Sequence, residues 1–211
     1  DNGVPMRDGS GELIDTENHG PDVYYKRGVE GDVVPPPIGL RMIAGRGSAT
    51  PESPQHPTVI RWTCHDQRNA EGQPQDQSRT IPRCVPGQDE GVPVPWRVHF
   101  GLFFPPCWDG ENLDSENHAA HMAYVEYDEP SDTFRCPASH PVAIPQVSYQ
   151  LYYPLDERSV GPYGDTRDWF LSSDSYDTTD ESPGGASAHG DWFMAWEPET
   201  AQTWTRHCIA E

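Results

Sequence analysis

Proline and glycine interrupt this sequence so often that no long regular element fits between them. They number 23 and 19 in 211 residues. Proline removes a backbone donor and fixes φ, and glycine inside a helix costs about 1 kcal/mol relative to alanine. What remains between the breaks is a series of short runs rich in aromatic and β-branched residues. Eight of them read as strands: Val23–Arg27, Leu40–Ala44, Thr58–Thr63, Trp96–Phe104, His121–Tyr127, Gln146–Tyr153, Asp168–Leu171 and Trp192–Trp196. Two show strict alternation. Val147, Tyr149, Leu151 and Tyr153 share one face of an extended strand, as do Trp96, Val98, Phe100 and Leu102. The spacing predicts a mainly β fold, an antiparallel sandwich or jelly roll with long loops and less than about a quarter helix. One short C-terminal helix is expected, opening at Glu197-Pro198-Glu199 and running to about Cys208.

The chain reads as one domain, residues 1–211, without an internal repeat. Its 7 Trp, 9 Tyr and 6 Phe are too many large rings for an acidic disordered tail. The formal net charge is −20. Nucleic-acid binding and polybasic attachment to a membrane surface both need a basic face, so neither is expected. No apolar run approaches the roughly 20 residues of a membrane span. Charge is also uneven: residues 101–211 carry 20 acids against 4 bases. Three stretches read as long loops: Arg46–His56, His65–Gly91 and Ser172–Gly190. The last holds many acids and Pro183-Gly184-Gly185, the pattern of a mobile flap.

Cysteine usage points to an oxidising compartment and a secreted protein. The five cysteines include no CxxC pair with zinc spacing. Cys64 and Cys84 bracket a polar loop that a disulfide would staple, and Cys107 is expected to pair with Cys136. Cys208 is then left over.

The densest polar stretch runs from Cys107 to Tyr124, directly after the apolar run Phe100–Pro106. A polar loop leaving a rigid strand is a common place for a site. Its acids Asp109 and Asp114 are the first candidates for acid–base work. As a calcium loop it fails, because Leu113 takes the fifth position and no glycine the sixth. His121, His140 and His189 stand at loop–strand junctions, with Asp191 beside the last. The expectation is that they meet in one cleft next to the 109–114 loop. Imidazoles with a carboxylate can ligate a divalent metal or form a base with its orienting acid, so these three histidines are also the candidate metal ligands. His118 lies three residues before His121 and need not face the same way. Trp108, Trp192 and Trp196 are candidates for stacking on sugar rings. No nucleophile elbow, phosphate loop or dinucleotide fingerprint is present.

Several elements occur in order that match a known pattern: Tyr24-Tyr25-Lys26-Arg27-Gly28, Gly39-Leu40-Arg41-Met42-Ile43-Ala44-Gly45, Cys107-Trp108-Asp109-Gly110-Glu111-Asn112-Leu113-Asp114, His118-Ala119-Ala120-His121-Met122-Ala123-Tyr124, Cys136-Pro137-Ala138-Ser139-His140-Pro141 and His189-Gly190-Asp191-Trp192-Phe193. On these residues the chain resembles the secreted domain-of-unknown-function family DUF1996 of fungi and high-GC bacteria. The resemblance implies an extracellular or cell-wall-associated domain, in fungi often joined to sugar-binding modules. It brings no agreed activity or catalytic residue. It also implies an additional N-terminal segment carrying a His-x-His element, so the chain is expected to be incomplete at that end and any site only partly represented.

Three functions follow as expectations. One is a carbohydrate-active enzyme, such as a glycoside hydrolase, using Asp109, Asp114 and Asp191. Another is a non-catalytic module that binds polysaccharide or an extracellular protein, as a subunit of an assembly that can include further copies. The third is a His-ligated metal or redox site. A cleft in which histidines and acids converge would favour an enzyme.

Overall fold

The structure is a computed structural model that describes residues 5–17, 20–65, 77–89, 92–94 and 96–209. Strand accounts for 33% of the chain and helical residues for 10%, in several antiparallel sheets with one short C-terminal helix. The mainly β expectation holds. The chain forms two compact units, each assembled from three separated segments: Asp1–Asp22, Gly45–Leu102 and Tyr149–Gly190 in the first, and Val23–Ala44, Phe103–Ser148 and Asp191–Glu211 in the second.

In the first unit the strand Ile60–His65 runs antiparallel to Trp96–Phe103, with Ile60 opposite Leu102 and His65 opposite Arg97. The 149–155 end of Gln146–Leu155 lies on the other side of Trp96–Phe103. The alternation read from the sequence decides which side chains are inside. Trp62, Val98, Phe100, Tyr149, Leu151 and Tyr153 are all buried. The opposite face carries Thr63, His99 and Gln150, linked by His99 Nε2 to Gln150 Oε1 at 2.6 Å and His99 Nδ1 to Thr63 Oγ1 at 3.3 Å. The Cys64–Cys84 disulfide is formed as expected. Part of the loop it closes, and part of the expected His65–Gly91 loop, lies outside the described residues.

The Ser172–Gly190 stretch is tied down rather than flap-like. Asp174 accepts from the backbone N–H groups of Leu171 at 2.8 Å and Gly185 at 2.7 Å, and from the Ser187 hydroxyl at 2.7 Å. Residues 184–188 are buried. The buried Gln55 amide donates to Ala186 O at 2.8 Å and Ala188 O at 2.7 Å, which anchors the segment from its other side. Truncating Gln55 strands two buried carbonyls. Gln55→Ala is therefore expected to cost about 2–3 kcal/mol in urea unfolding, and a loss below 0.5 kcal/mol would contradict this account.

In the second unit Cys107–Trp108 is the middle strand of a three-stranded sheet. Trp108 opposes Met122 on one side and Val142 on the other. The Cys107–Cys136 disulfide is formed, again as expected. Glu126–Asp128 and Thr133–Arg135 form a hairpin. The expected strand His121–Tyr127 is thus broken in two. His121 and Tyr124 turn inward at the break, the Tyr124 hydroxyl donating to Phe103 O at 2.8 Å. Residues 41–44 and 191–193 form a two-stranded ribbon. The second strand is His189–Phe193, ending earlier than Trp196. The C-terminal helix is Pro198–Trp204, continued by a wider turn Thr205–Ile209 whose Ile209 packs with Val29, Val33 and Ala143. Cys208 is a free, exposed thiol.

Candidate functional site

The 109–121 loop leaves the middle strand of the second unit and returns to its neighbour, so both ends are fixed. Asp109 N–H donates to His121 O at 3.0 Å across its mouth. The loop's carboxylates then divide the work. Asp109 Oδ1 accepts from the N–H groups of Glu111 and Asn112, both at 2.9 Å, and Oδ2 accepts from Asn112 Nδ2 at 2.8 Å. Burial works to raise this acid, but these three donors outweigh it and hold it below the usual carboxylate range. Asp109 closes a turn. Gly110 beside it has φ +85°, a conformation that L side chains rarely adopt. The Trp108 indole N–H is likewise spent, on Asn112 O at 2.6 Å.

Of the two loop histidines, His121 is the internal one. It is 1% exposed. Nε2 donates to the Arg41 carbonyl at 2.6 Å, and Nδ1 is hydrogen-bonded to Ser115 Oγ at 2.9 Å. With both nitrogens engaged, the ring is a buried brace between the loop and residue 41. His118 is the external one. Its backbone sits at φ +54°, unusual for a residue with a side chain, and this swings the imidazole outward. Nδ1 donates to Asp114 Oδ1 at 2.7 Å, and Nε2 has no hydrogen-bond partner among the described residues. Asp114 also accepts from Ser115 N–H at 2.9 Å and lies 3.8 Å from the Arg41 guanidinium. The His118 bond, with those two contacts, holds Asp114 below its ordinary value.

Because both acids are lowered in the folded chain, each stabilises the fold above the ordinary carboxylate pKa of about 4. That contribution is lost as pH falls through the lowered folded values. The sign fixes a prediction. Thermal melts between about pH 6 and pH 2 should show a shallower acid-side loss for Asp109→Asn than for the parent. An unchanged slope would remove Asp109 from the acid response.

The ribbon supplies the rest of the site. Along His189–Phe193, Gly190 and Trp192 point in while Asp191 and Phe193 are exposed; along Arg41–Gly45, Met42 and Ala44 point in and Arg41 is exposed. A groove of about 400 Å³ results, lined by Arg41, Met42, Ile43, His118, Asp191, Trp192 and Phe193. The loop is joined to this ribbon through the backbone. Arg41 N–H donates to Leu113 O at 2.9 Å and Ile43 N–H to His118 O at 3.1 Å.

Of the residues read from sequence, Asp191 and Trp192 line this groove, and Asp114 reaches it through His118. Trp192 contributes only an edge, being 6% exposed. Trp196 is partly exposed, and its indole N–H donates to the Tyr25 hydroxyl at 3.0 Å. His140 is not in the lining; its Nε2 donates to Ala120 O at 3.1 Å and its Nδ1 meets Ser139 Oγ at 2.9 Å. His189 belongs to the first unit, where Nδ1 donates to Ser187 O at 2.8 Å. Among the described residues no group of three or more His, Cys, Asp or Glu side chains is placed to hold a metal ion. Sequence reasoning missed His118 and Phe193. The available signal for Phe193 was the alternation Gly190, Asp191, Trp192, Phe193, in which the glycine marks the inward side.

A family model described as a domain of unknown function matches residues 4–196. The chain belongs to the DUF1996 family. The DUF1996 match includes every residue that lines the groove. Comparisons with curated proteins and with solved structures give no match.

Proposed function

We propose that the chain is an extracellular domain that binds polysaccharide in the groove formed by the 41–43 and 191–193 strands and His118. The carrying observation is the pairing of an exposed phenyl ring with polar groups fixed in place. Phe193 is 67% exposed, and beside it stand Asp191 and an imidazole oriented by Asp114. A pyranose presents a C–H face that packs on an aromatic ring and a rim of hydroxyls that bond to carboxylate and imidazole. Two disulfides support the extracellular part of the reading, since such bonds persist where thiols are oxidised. No helix among the described residues is long and apolar enough to cross a membrane.

Binding is favoured over cleavage by the state of the loop acids. Glycoside hydrolysis calls on two carboxyls facing each other across the scissile bond. Here Asp109 is consumed by its turn and Asp114 by His118. The test is retention on a panel of insoluble glucan, chitin and xylan, followed by affinity electrophoresis on the polymer that binds best. Phe193→Ala is expected to weaken binding about tenfold, the effect of losing one aromatic contact. Retention on none of the polymers, or undiminished binding by Phe193→Ala, overturns the proposal. Release of reducing sugar by the parent would replace binding with catalysis.

A further inference from the structure

We propose that a cavity in the second unit binds a short unblocked peptide by its two charged ends. The cavity measures about 460 Å³, and its lining includes Val29, Glu30, Asp32, Arg135, Pro141 and Ala143. Its walls are fixed by the backbone. Glu30 N–H donates to Phe134 O at 3.0 Å and Val34 N–H to Ala143 O at 2.9 Å, so the segment from 30 to 34 is held at both ends. Val29 and Val33 are buried and pack with Ala143 and Ile209. On the opposite wall Cys136, next to Arg135, is bonded to Cys107. The charged side chains between these anchors therefore stand on a rigid mount.

Charge selects the occupant. The side chains of Glu30 and Asp32 make no hydrogen bond or ion pair among the described residues. Arg135 is held through Nε, at 3.3 Å from Thr133 Oγ1 and 3.4 Å from Asp128 Oδ2, and its two terminal nitrogens donate to nothing among the described residues. Opposite charges thus line one cavity without pairing with each other. The charges around them disfavour simpler ligands. Arg27 Nη2 donates to Gly31 O at 2.9 Å, which sets a cation beside the two acids. Asp128 and, across the hairpin register, Glu126 flank Arg135. A plain cation meets two arginines here and a plain anion meets four carboxylates, and like charges brought together oppose binding. A molecule with an ammonium at one end and a carboxylate at the other finds an opposite charge for each, in charge-assisted bonds. In a free amino acid both charges sit on one carbon and reach one wall at a time. One or two peptide units separate them by about 3.3–3.6 Å per residue. Val29, Pro141 and Ala143 offer an apolar floor for small side chains. The cavity shares no lining residue with the polysaccharide groove.

The probes are dialanine and trialanine, each with its N-acetyl and C-amide forms, and free alanine. Titrations are followed by the amide shifts of residues 29–32. The tighter of the two peptides should bind saturably, at least tenfold tighter than free alanine and than its own blocked forms. Arg135→Gln should weaken the free peptide at least tenfold and leave the amide form, which has no carboxylate, unchanged. Glu30→Gln/Asp32→Asn should weaken the free peptide as much and leave the N-acetyl form unchanged. These side chains are exposed, so both variants should keep Tm within a few degrees of the parent. No saturable binding of either peptide, equal binding of the blocked forms, or equally tight binding of free alanine overturns the proposal. Preference for the amide form would make the cavity a cation site and preference for the N-acetyl form an anion site, and either result overturns it as well. If a variant does not fold, the free and blocked peptides on the parent protein decide the question.

Discussion

Trp62→Ala is expected to destabilise the first unit by about 3–5 kcal/mol, the range for deleting a buried tryptophan side chain. The indole is fully buried. It packs against Phe100 with centroids 4.4 Å apart and against Tyr153 at 6.4 Å. Its N–H donates to Gly185 O at 3.2 Å. Alanine would lose the ring contacts, open a cavity and leave a buried carbonyl without its donor, and these effects act in the same direction. The fit is mutual. Gly185 has φ +93°, and a Cβ there would lie 2.7 Å from Ile81 Cγ1 and 3.1 Å from the Trp62 ring. Gly185→Ala should therefore also destabilise, through strain and overlap. Trp62→Phe, which keeps part of the ring but not the donor, should fall between Trp62→Ala and the parent. Urea unfolding followed by circular dichroism measures all three. A cost below 1.5 kcal/mol for Trp62→Ala would mean that the neighbouring rings collapse into the space.

The same residues show why the fold was more legible in the sequence than the site. Alternation from Val147 to Tyr153 is a local signal, and burial of one face is its direct physical consequence. The Cys64–Cys84 disulfide was legible because those two cysteines bracket a polar stretch, and Cys107 and Cys136 were the next two cysteines in order. The choice between His118 and His121 was not. The pattern His118-Ala119-Ala120-His121 says nothing about which ring faces out, since that depends on φ +54° at His118 and on a backbone carbonyl from residue 41. Both are tertiary facts. Trp192 counts among the sugar-stacking candidates because a large aromatic ring beside a loop reads as exposed. Alternation along His189–Phe193 puts Trp192 on the inner face and Phe193 on the outer, and which of the two faces is buried is set by tertiary packing rather than by the local pattern. The commitment of Asp109 was partly readable, because Asp followed by Gly and then Asn is turn chemistry.

Removing the Cys107–Cys136 disulfide should lower stability by about 3–4 kcal/mol and weaken whatever the groove holds. The two cysteines are 29 residues apart in sequence, against 20 for Cys64–Cys84. On loop-closure entropy alone the longer link is worth about 0.3 kcal/mol more. Position adds to this. Cys107 is fully buried and lies in the middle strand, opposite Ala123 and Ala143. The 109–121 loop that carries Asp114 and His118 starts two residues later. Losing the link loosens the segment from 107 to 136, and with it the mount of the His118 imidazole. In Cys107→Ser/Cys136→Ser the thermal midpoint should fall by well over the shift for Cys208→Ser, whose thiol is free and exposed. Exchange of the 109–121 amides should accelerate more than that of the Ile60–His65 strand. The matching Cys64→Ser/Cys84→Ser pair should give the reverse pattern of exchange. If both double variants loosen the same amides, the two links do not act on separate units, and the site loop owes its shape to something other than the 107–136 bond.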